Sequence, residues 1–187
     1  TFDYGSWEYS WLIRDIKPCV LKNGVVQYYL NPNDFSKKID GTAADIQSGA
    51  DGDVMIEFPR CYYKLYQDGI TIGCKFSLVP QDDSWCSNAF LNKQGIPQDV
   101  MYLSAYDGCE SNSQLRSFSD RTPAVNKTIS EFRAMTSYME GYEQQEWTKR
   151  CYLQALFTMM FKGLDSQALL GKGVTSASAA INTGTMN

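Results

Sequence analysis

The pair Asn23-Gly24, set between Cys19-Val20-Leu21-Lys22 and Val25-Val26-Gln27-Tyr28-Tyr29-Leu30, constrains this chain more than any other feature. A two-residue hairpin loop needs positive φ at both central positions, which Asn and Gly accept at least cost. The flanking runs are rich in β-branched and aromatic residues, so a β-hairpin is predicted there. A second is predicted from Met55 to Tyr66 and Ile70 to Phe76, turning at Asp68-Gly69. Pro59 has no N–H to give to a ladder and is expected at an edge or bulge of that strand. Asn31-Pro32-Asn33-Asp34 and Gly49-Ala50-Asp51-Gly52-Asp53 are turn chemistry. Residues 77–98, polar and broken by Pro80, Gly95 and Pro97, read as a long surface loop.

Beyond this the period changes. Val100 to Tyr106 is a further strand, and Ser111 to Ala124 a polar loop. Thr128-Ile129-Ser130-Glu131 is a capping box, in which side chains satisfy the first amides of a helix running to about Glu140. Its apolar positions are Ile129, Phe132, Met135 and Met139, and Gly141 stops it. A second helix follows Trp147-Thr148, with Leu153, Leu156, Phe157, Met160 and Phe161 as the core-facing stripe and Gly163 as its C-cap. The class is α+β, with a β-rich region over 1–98 and strand plus two helices over 99–187. Residues 171–187 are almost all Gly, Ser, Thr, Ala and Asn, too poor in apolar surface to order themselves alone.

The chemistry is limited by what is missing. Among 187 residues there is no histidine, which excludes Ser-His-Asp and Cys-His triads and His-zinc sites within this chain. Lys+Arg 17 against Asp+Glu 21, with no basic cluster, argues against a nucleic-acid footprint. No run approaches the ~20 apolar residues of a membrane span. The six cysteines (Cys19, Cys61, Cys74, Cys86, Cys109, Cys151) show no C-x-x-C pair and read as reduced, buried thiols. Asp51-Gly52-Asp53 lacks the rest of a calcium loop, and Asp82-Asp83 and Glu143/Glu146 read as solvated loop charges. Cys151, without a base beside it, reads as an inert thiol, and Thr128 as a helix cap rather than part of a glycosylation sequon at Asn126.

Aromatic residues carry the remaining signal. Twelve Tyr, nine Phe and four Trp are present, and such side chains, apolar with a polar tip, are favoured at protein and carbohydrate contacts. Trp7, Trp11, Tyr62, Tyr63, Trp85 and Trp147 are the candidate ligand or partner contacts. Alternation along a strand sends one of Tyr62 and Tyr63 inward as core. No catalytic residue, metal ligand or cofactor is assigned.

The segments Tyr29-Leu30-Asn31-Pro32-Asn33-Asp34-Phe35, Gly49-Ala50-Asp51-Gly52-Asp53-Val54-Met55-Ile56-Glu57-Phe58-Pro59-Arg60 and Tyr62-Tyr63-Lys64 stand in sequence. Val100 to Gly108, Leu115-Arg116-Ser117, Pro123, Ser130 to Ala134 and Trp147 follow. Leu164 to Ala168, Gly171 to Thr175 and Asn182-Thr183-Gly184 complete the series. In that order it resembles a family of phage and prophage tail-associated proteins of gut bacteria, related to the variable proteins of diversity-generating retroelements.

The resemblance implies a C-type-lectin-like fold, shared with formylglycine-generating-type domains, whose opening strand and two helices are residues 99–187. It implies a non-enzymatic virion protein, made in the bacterial cytoplasm, that helps a phage attach to a bacterial surface receptor of protein or glycan. Its partners would be that receptor and other tail proteins, without membrane insertion. Homotrimers are common among tail-tip proteins, though no heptad is present here. The alternatives are a structural tail or capsid-decoration component, or an enzyme on the formylglycine-generating scaffold. The last would need catalytic cysteines from a region beyond Asn187. Thr1 in place of Met, and an end short of the family's Trp-Gly-Asn-type strand, lead us to expect a piece of a longer protein.

Overall fold

The Asn23-Gly24 hairpin forms as its sequence dictates. In the computed structural model, which describes residues 9–171, 173 and 179–183, Asn23 and Gly24 have φ of 53° and 73°. They join β1 (Lys17–Lys22) to β2 (Val25–Asn31) with Lys22 opposite Val25. The described residues are mixed α and β, β-rich at the N-terminal side and sparing in helix.

They fall into two units whose segments alternate along the chain. Unit 1 draws on residues 9–15, 59–101, 145–171 and 173; unit 2 draws on 16–58, 102–144 and 179–183. The sequence-based boundary between 98 and 99 falls within the middle segment of unit 1, so each sequence half contributes to both units.

Unit 2 is built on a five-stranded sheet in the order β3-β2-β1-β4-β7, with β3 at Asp34–Lys38, β4 at Asp53–Pro59 and β7 at Val100–Ser104. One sheet face buries Val20, Leu30 and Val54 completely, with Tyr28, Phe35, Ile46 and Tyr106 packed around them. The segment 111–124 is more ordered than expected, because Cys109–Ser111 (β8) and Gln114–Arg116 (β9) form a small hairpin. Its turn residues Asn112 and Ser113 both take positive φ, 51° and 61°, so a second primed turn exists without a Gly to announce it. Helix α2 (Ile129–Thr136) starts at the capping box, with both Thr128 and Glu131 bonds made. It ends short of Glu140, where the hydroxyls of Thr136 and Ser137 bond back to the carbonyls of Arg133 and Ala134. Its buried residues are Met135 and Thr136, and Ile129 is exposed, contrary to the expected stripe.

In unit 1 the second hairpin is β5 (Tyr62–Asp68) with β6 (Thr71–Ser77). Met55 to Tyr66 is therefore not one strand. Pro59 closes β4 two residues past its last pairing with β1, and the chain re-enters a different sheet at Tyr62. The hairpin turn is Gly69-Ile70, with positive φ only at Gly69. The long loop 77–98 is not wholly superficial. A 3-10 turn at Asn88–Phe90 buries Ala89 and Phe90, and the Phe90 ring sits 5.3 Å from that of Tyr152.

Tyr152 belongs to helix α3 (Trp147–Phe161), and its ring also meets Tyr63 and Phe76. The buried side of α3 is Tyr152, Ala155 and Leu156. Of the predicted stripe only Leu156 is buried, while Leu153, Phe157, Met160 and Phe161 are half-buried. The helix is apolar around most of its circumference, so periodicity permits either side and the rings of β5, β6 and the 3-10 turn select one. Lys162, not Gly163, takes the left-handed position that ends the helix, with φ of 53°. The short helices α1 (Trp11–Arg14), burying Leu12, and α4 (Ser166–Leu170) complete the unit.

Candidate functional site

Acidic groups are the first place to look for chemistry, and in unit 2 two of them are committed to structure. Asp53, 2% exposed, accepts from Arg116 Nε at 2.8 Å and from the Ser117 amide at 2.9 Å. Its other oxygen accepts from the hydroxyls of Tyr138 and Tyr142, each at 3.3 Å. Burial, reinforced by the negative charge of Asp53, raises both phenol pKa values. The guanidinium of Arg116 also lies over the Phe118 ring at 4.9 Å. This is a buried ion pair tying β4, β9 and the residues after α2 together, with both oxygens of Asp53 accepting hydrogen bonds.

Glu57 is the second. It accepts from Tyr29 at 3.1 Å and from Tyr102 at 2.9 Å, on the sheet face that carries Cys19. Cys19 is fully buried, and burial followed by the charge of Glu57 pushes its thiol up to about 12. Burial also pushes the Cys61 thiol up to about 11. Such thiols stay protonated and unreactive at neutral pH. All six cysteines are unpaired; Cys19, Cys61 and Cys109 are buried, whereas Cys74, Cys86 and Cys151 are only half-buried.

Unit 1 presents something different, an outer surface rich in apolar side chains. At the tip of the β5–β6 hairpin Ile70 is 101% exposed, and Leu65 and Ile72 are 58% and 59% exposed. Leu65, Cys74 and Ile72 continue outward along the same face that Tyr63 and Phe76 pack against Tyr152. Near them a furrow follows the outer side of α3. One half, about 430 Å³, is lined by Arg150, Leu153, Gln154, Phe157, Thr158 and Leu164 among others. The other half, about 260 Å³, shares Thr158 and Leu164 and extends to Ile72, Cys74 and Lys162. Arg150, Leu153, Gln154, Phe157 and Thr158 recur at i, i+3, i+4, i+7 and i+8, so one helix stripe supplies most of the wall. Phe157 is stacked on Phe161 at 4.7 Å between centroids. The arrangement offers apolar contact bounded by two cations, which is binding chemistry rather than proton-transfer chemistry.

The aromatic residues singled out from sequence do not form one cluster. Trp7 lies outside the described residues. Trp11, Tyr62 and Trp85 are half-buried, Trp11 in the first segment of unit 1 and Tyr62 and Trp85 in its middle segment. Tyr63 is corrected to a core residue: 7% exposed, stacked on Phe76 at 6.1 Å, it is the inward member of the Tyr62/Tyr63 alternation. Trp147 stands 70% exposed at the first turn of α3. The paired acids are likewise apart, with Asp82 on Lys64 at 3.4 Å and Glu146 on Lys149 at 3.2 Å. Among the described residues no group of three His, Cys, Asp or Glu is placed to hold a metal ion.

Arg150, Gln154, Leu164 and Lys162 were not among the sequence candidates. The signal that could have found Arg150 and Gln154 is the stripe 150/153/154/157/158, hidden because the neighbouring stripe of the same helix is more apolar; Lys162 and Leu164, past the end of the helix, carry no such signal. No protein-family model, curated protein or solved structure matches this chain.

Proposed function

We propose that this chain is a non-enzymatic virion protein of a phage tail that contributes to recognition of, and attachment to, a bacterial surface receptor. The observation that carries the reading is the apolar exterior of unit 1. Ile70, Leu65 and Ile72 on one hairpin, with Leu164 73% and Trp147 70% exposed, leave large side chains in water that folding alone has no use for. Unit 2 also exposes single apolar residues such as Val25, Ile39 and Ile129, but several gathered on one hairpin mark a surface that is covered by another molecule. The unreactive thiols of Cys19 and Cys61 and the engagement of Asp53 and Glu57 in hydrogen bonds within unit 2 support a display role over a chemical one. A C-type-lectin-like assignment for the strand and helices of 99–187 belongs to the same proposal, as do tail-protein partners and a trimeric assembly. The mixed α and β architecture is compatible with it at the level of class.

The test is binding of fluorescently labelled protein to a panel of bacterial cells and a glycan array. Saturable binding to some surfaces, weakened by Ile70→Asp and Ile72→Asp together, is the expected result. Silence on every surface, with saturable binding to other tail proteins instead, would replace attachment by a structural role.

A further inference from the structure

The furrow on α3 has a charge pattern that selects its occupant. Its two halves are lined by the apolar Leu153, Phe157, Leu164 and Ile72 and by the polar Gln145, Gln154, Thr158 and Ser166, and among the described residues the charged lining ones are Arg150 and Lys162. Among the described residues no carboxylate lines either half and neither cation has an ion-pair partner. Elsewhere in the unit Arg14, Arg60, Lys64 and Lys149 have a carboxylate within 4 Å, and Lys75 lies over the Tyr66 ring. Two such cations in a furrow of mixed apolar and polar lining, in a chain of net charge -4, are complementary to an acidic, partly apolar ligand rather than to another cationic surface.

The walls narrow the class further. The side-chain amides of Gln145 and Gln154 line the trough and make no hydrogen bond to described residues. A carboxamide offers one acceptor and two donors, the complement of a peptide backbone and of no use to an acyl chain. Spacing sets the length. Arg150 and Lys162 are twelve positions apart along α3 and its cap, an axial rise of roughly 18 Å at about 1.5 Å per residue. An extended peptide covers that distance in about five or six residues at ~3.3 Å each.

We propose that the α3 furrow binds an extended peptide segment of a partner protein, carrying two carboxylates about five or six residues apart with apolar side chains between them. This rests on the recognition reading and names the chemistry of one partner. Arg150 and Lys162 hold the carboxylates, Phe157 and Leu164 take the apolar side chains, and Gln145 and Gln154 hold the backbone.

The experiment uses the whole chain and labelled twelve-residue peptides read by fluorescence anisotropy. The set places two Glu residues three to nine positions apart around Leu and Phe, with Gln-for-Glu and Ser-for-Leu/Phe controls. Binding is expected to peak at a separation of five or six and to weaken about tenfold or more in either control. Arg150→Glu and Lys162→Glu, both at exposed positions and checked for folding by circular dichroism, should each lose binding about tenfold. The double variant should accept the peptide with Lys in place of both Glu residues. Equal binding of the Gln control, indifference to separation, or indifference to both charge reversals would overturn the proposal. So would binding to vesicles containing anionic phospholipid but to no peptide in the set. Cell attachment measured on the same variants separates the two readings: peptide binding without cell binding refutes attachment alone, and cell binding without peptide binding refutes the furrow alone.

Discussion

Replacing Asp53 by Asn tests whether unit 2 depends on its buried ion pair. Asn keeps the size of the side chain and one acceptor for the Ser117 amide at 2.9 Å, but removes the charge facing Arg116 at 2.8 Å. The Arg116 side chain is 18% exposed, so its guanidinium would be left largely buried without a counter-charge. Breaking one half of a buried pair costs about 3–5 kcal/mol, and the partial exposure of Arg116 together with the retained Ser117 bond puts this case at the low end, about 3 kcal/mol. That is a large fraction of the roughly 5–15 kcal/mol that holds a domain folded.

The three Trp among the described residues, Trp11, Trp85 and Trp147, all lie in unit 1, so tryptophan emission is a poor reporter of the affected unit. Urea titration followed by peptide-level hydrogen exchange over 16–58 and 102–144 does, and also avoids assuming a single two-state transition. Two further readouts separate an ion pair from a packing effect. Tyrosinate titration of Tyr138 and Tyr142 should move down, because Asp53's charge is one of the causes holding it up. The double substitution Asp53→Asn with Arg116→Met should cost clearly less than the two single ones added. A cost under about 1 kcal/mol, or strict additivity of the double variant, would refute the reasoning.

Two further outcomes are expected. Gly52, at φ of 138°, has no room for a Cβ, which would strike the backbone carbonyl of Leu21, whereas Gly24 at φ of 73° has nothing within 4 Å. Gly52→Ala should therefore destabilise by about 3 kcal/mol and Gly24→Ala by about 1 kcal/mol, measured by thermal or urea unfolding; equal effects would show that the contact is not what fixes Gly52. Alkaline stability should fall from about pH 9 upward. The thiols of Cys19 and Cys61 titrate near 12 and 11 when folded against an ordinary 9.0, so the unfolded chain releases those protons first. Full stability is present below about pH 9 and is lost as pH rises toward the folded values, by up to about 1.4 kcal/mol per pH unit for each thiol. Urea midpoints at pH 8 to 11 should show this slope, and an undiminished slope in Cys19→Ala with Cys61→Ala would refute the assignment.

What the sequence determined by itself was the set of features whose physics is local. The turn at Asn23-Gly24 depends on the φ that two adjacent residues accept, and the capping box at Thr128 and Glu131 on two side chains one turn apart, so both were legible and both formed. Even locally the reading weakened where the marker was faint, as at Asn112-Ser113, where two non-glycine residues take positive φ. The tertiary structure decided everything that required choosing among equivalent local options. It placed β4 and β5 in different sheets on either side of Pro59, and it turned Tyr152 rather than Phe157 into the core. It brought Asp53 to Arg116, Ser117, Tyr138 and Tyr142 across 63, 64, 85 and 89 positions of chain. An apolar helix can bury any of its sides and an aspartate in a turn motif can face any partner. Only the surfaces that meet it in three dimensions, by the rings they stack and the charges they leave unpaired, select one. The same selection left the α3 furrow with its two cations facing outward, which is why the residues proposed to bind were not the aromatic ones that composition brought forward.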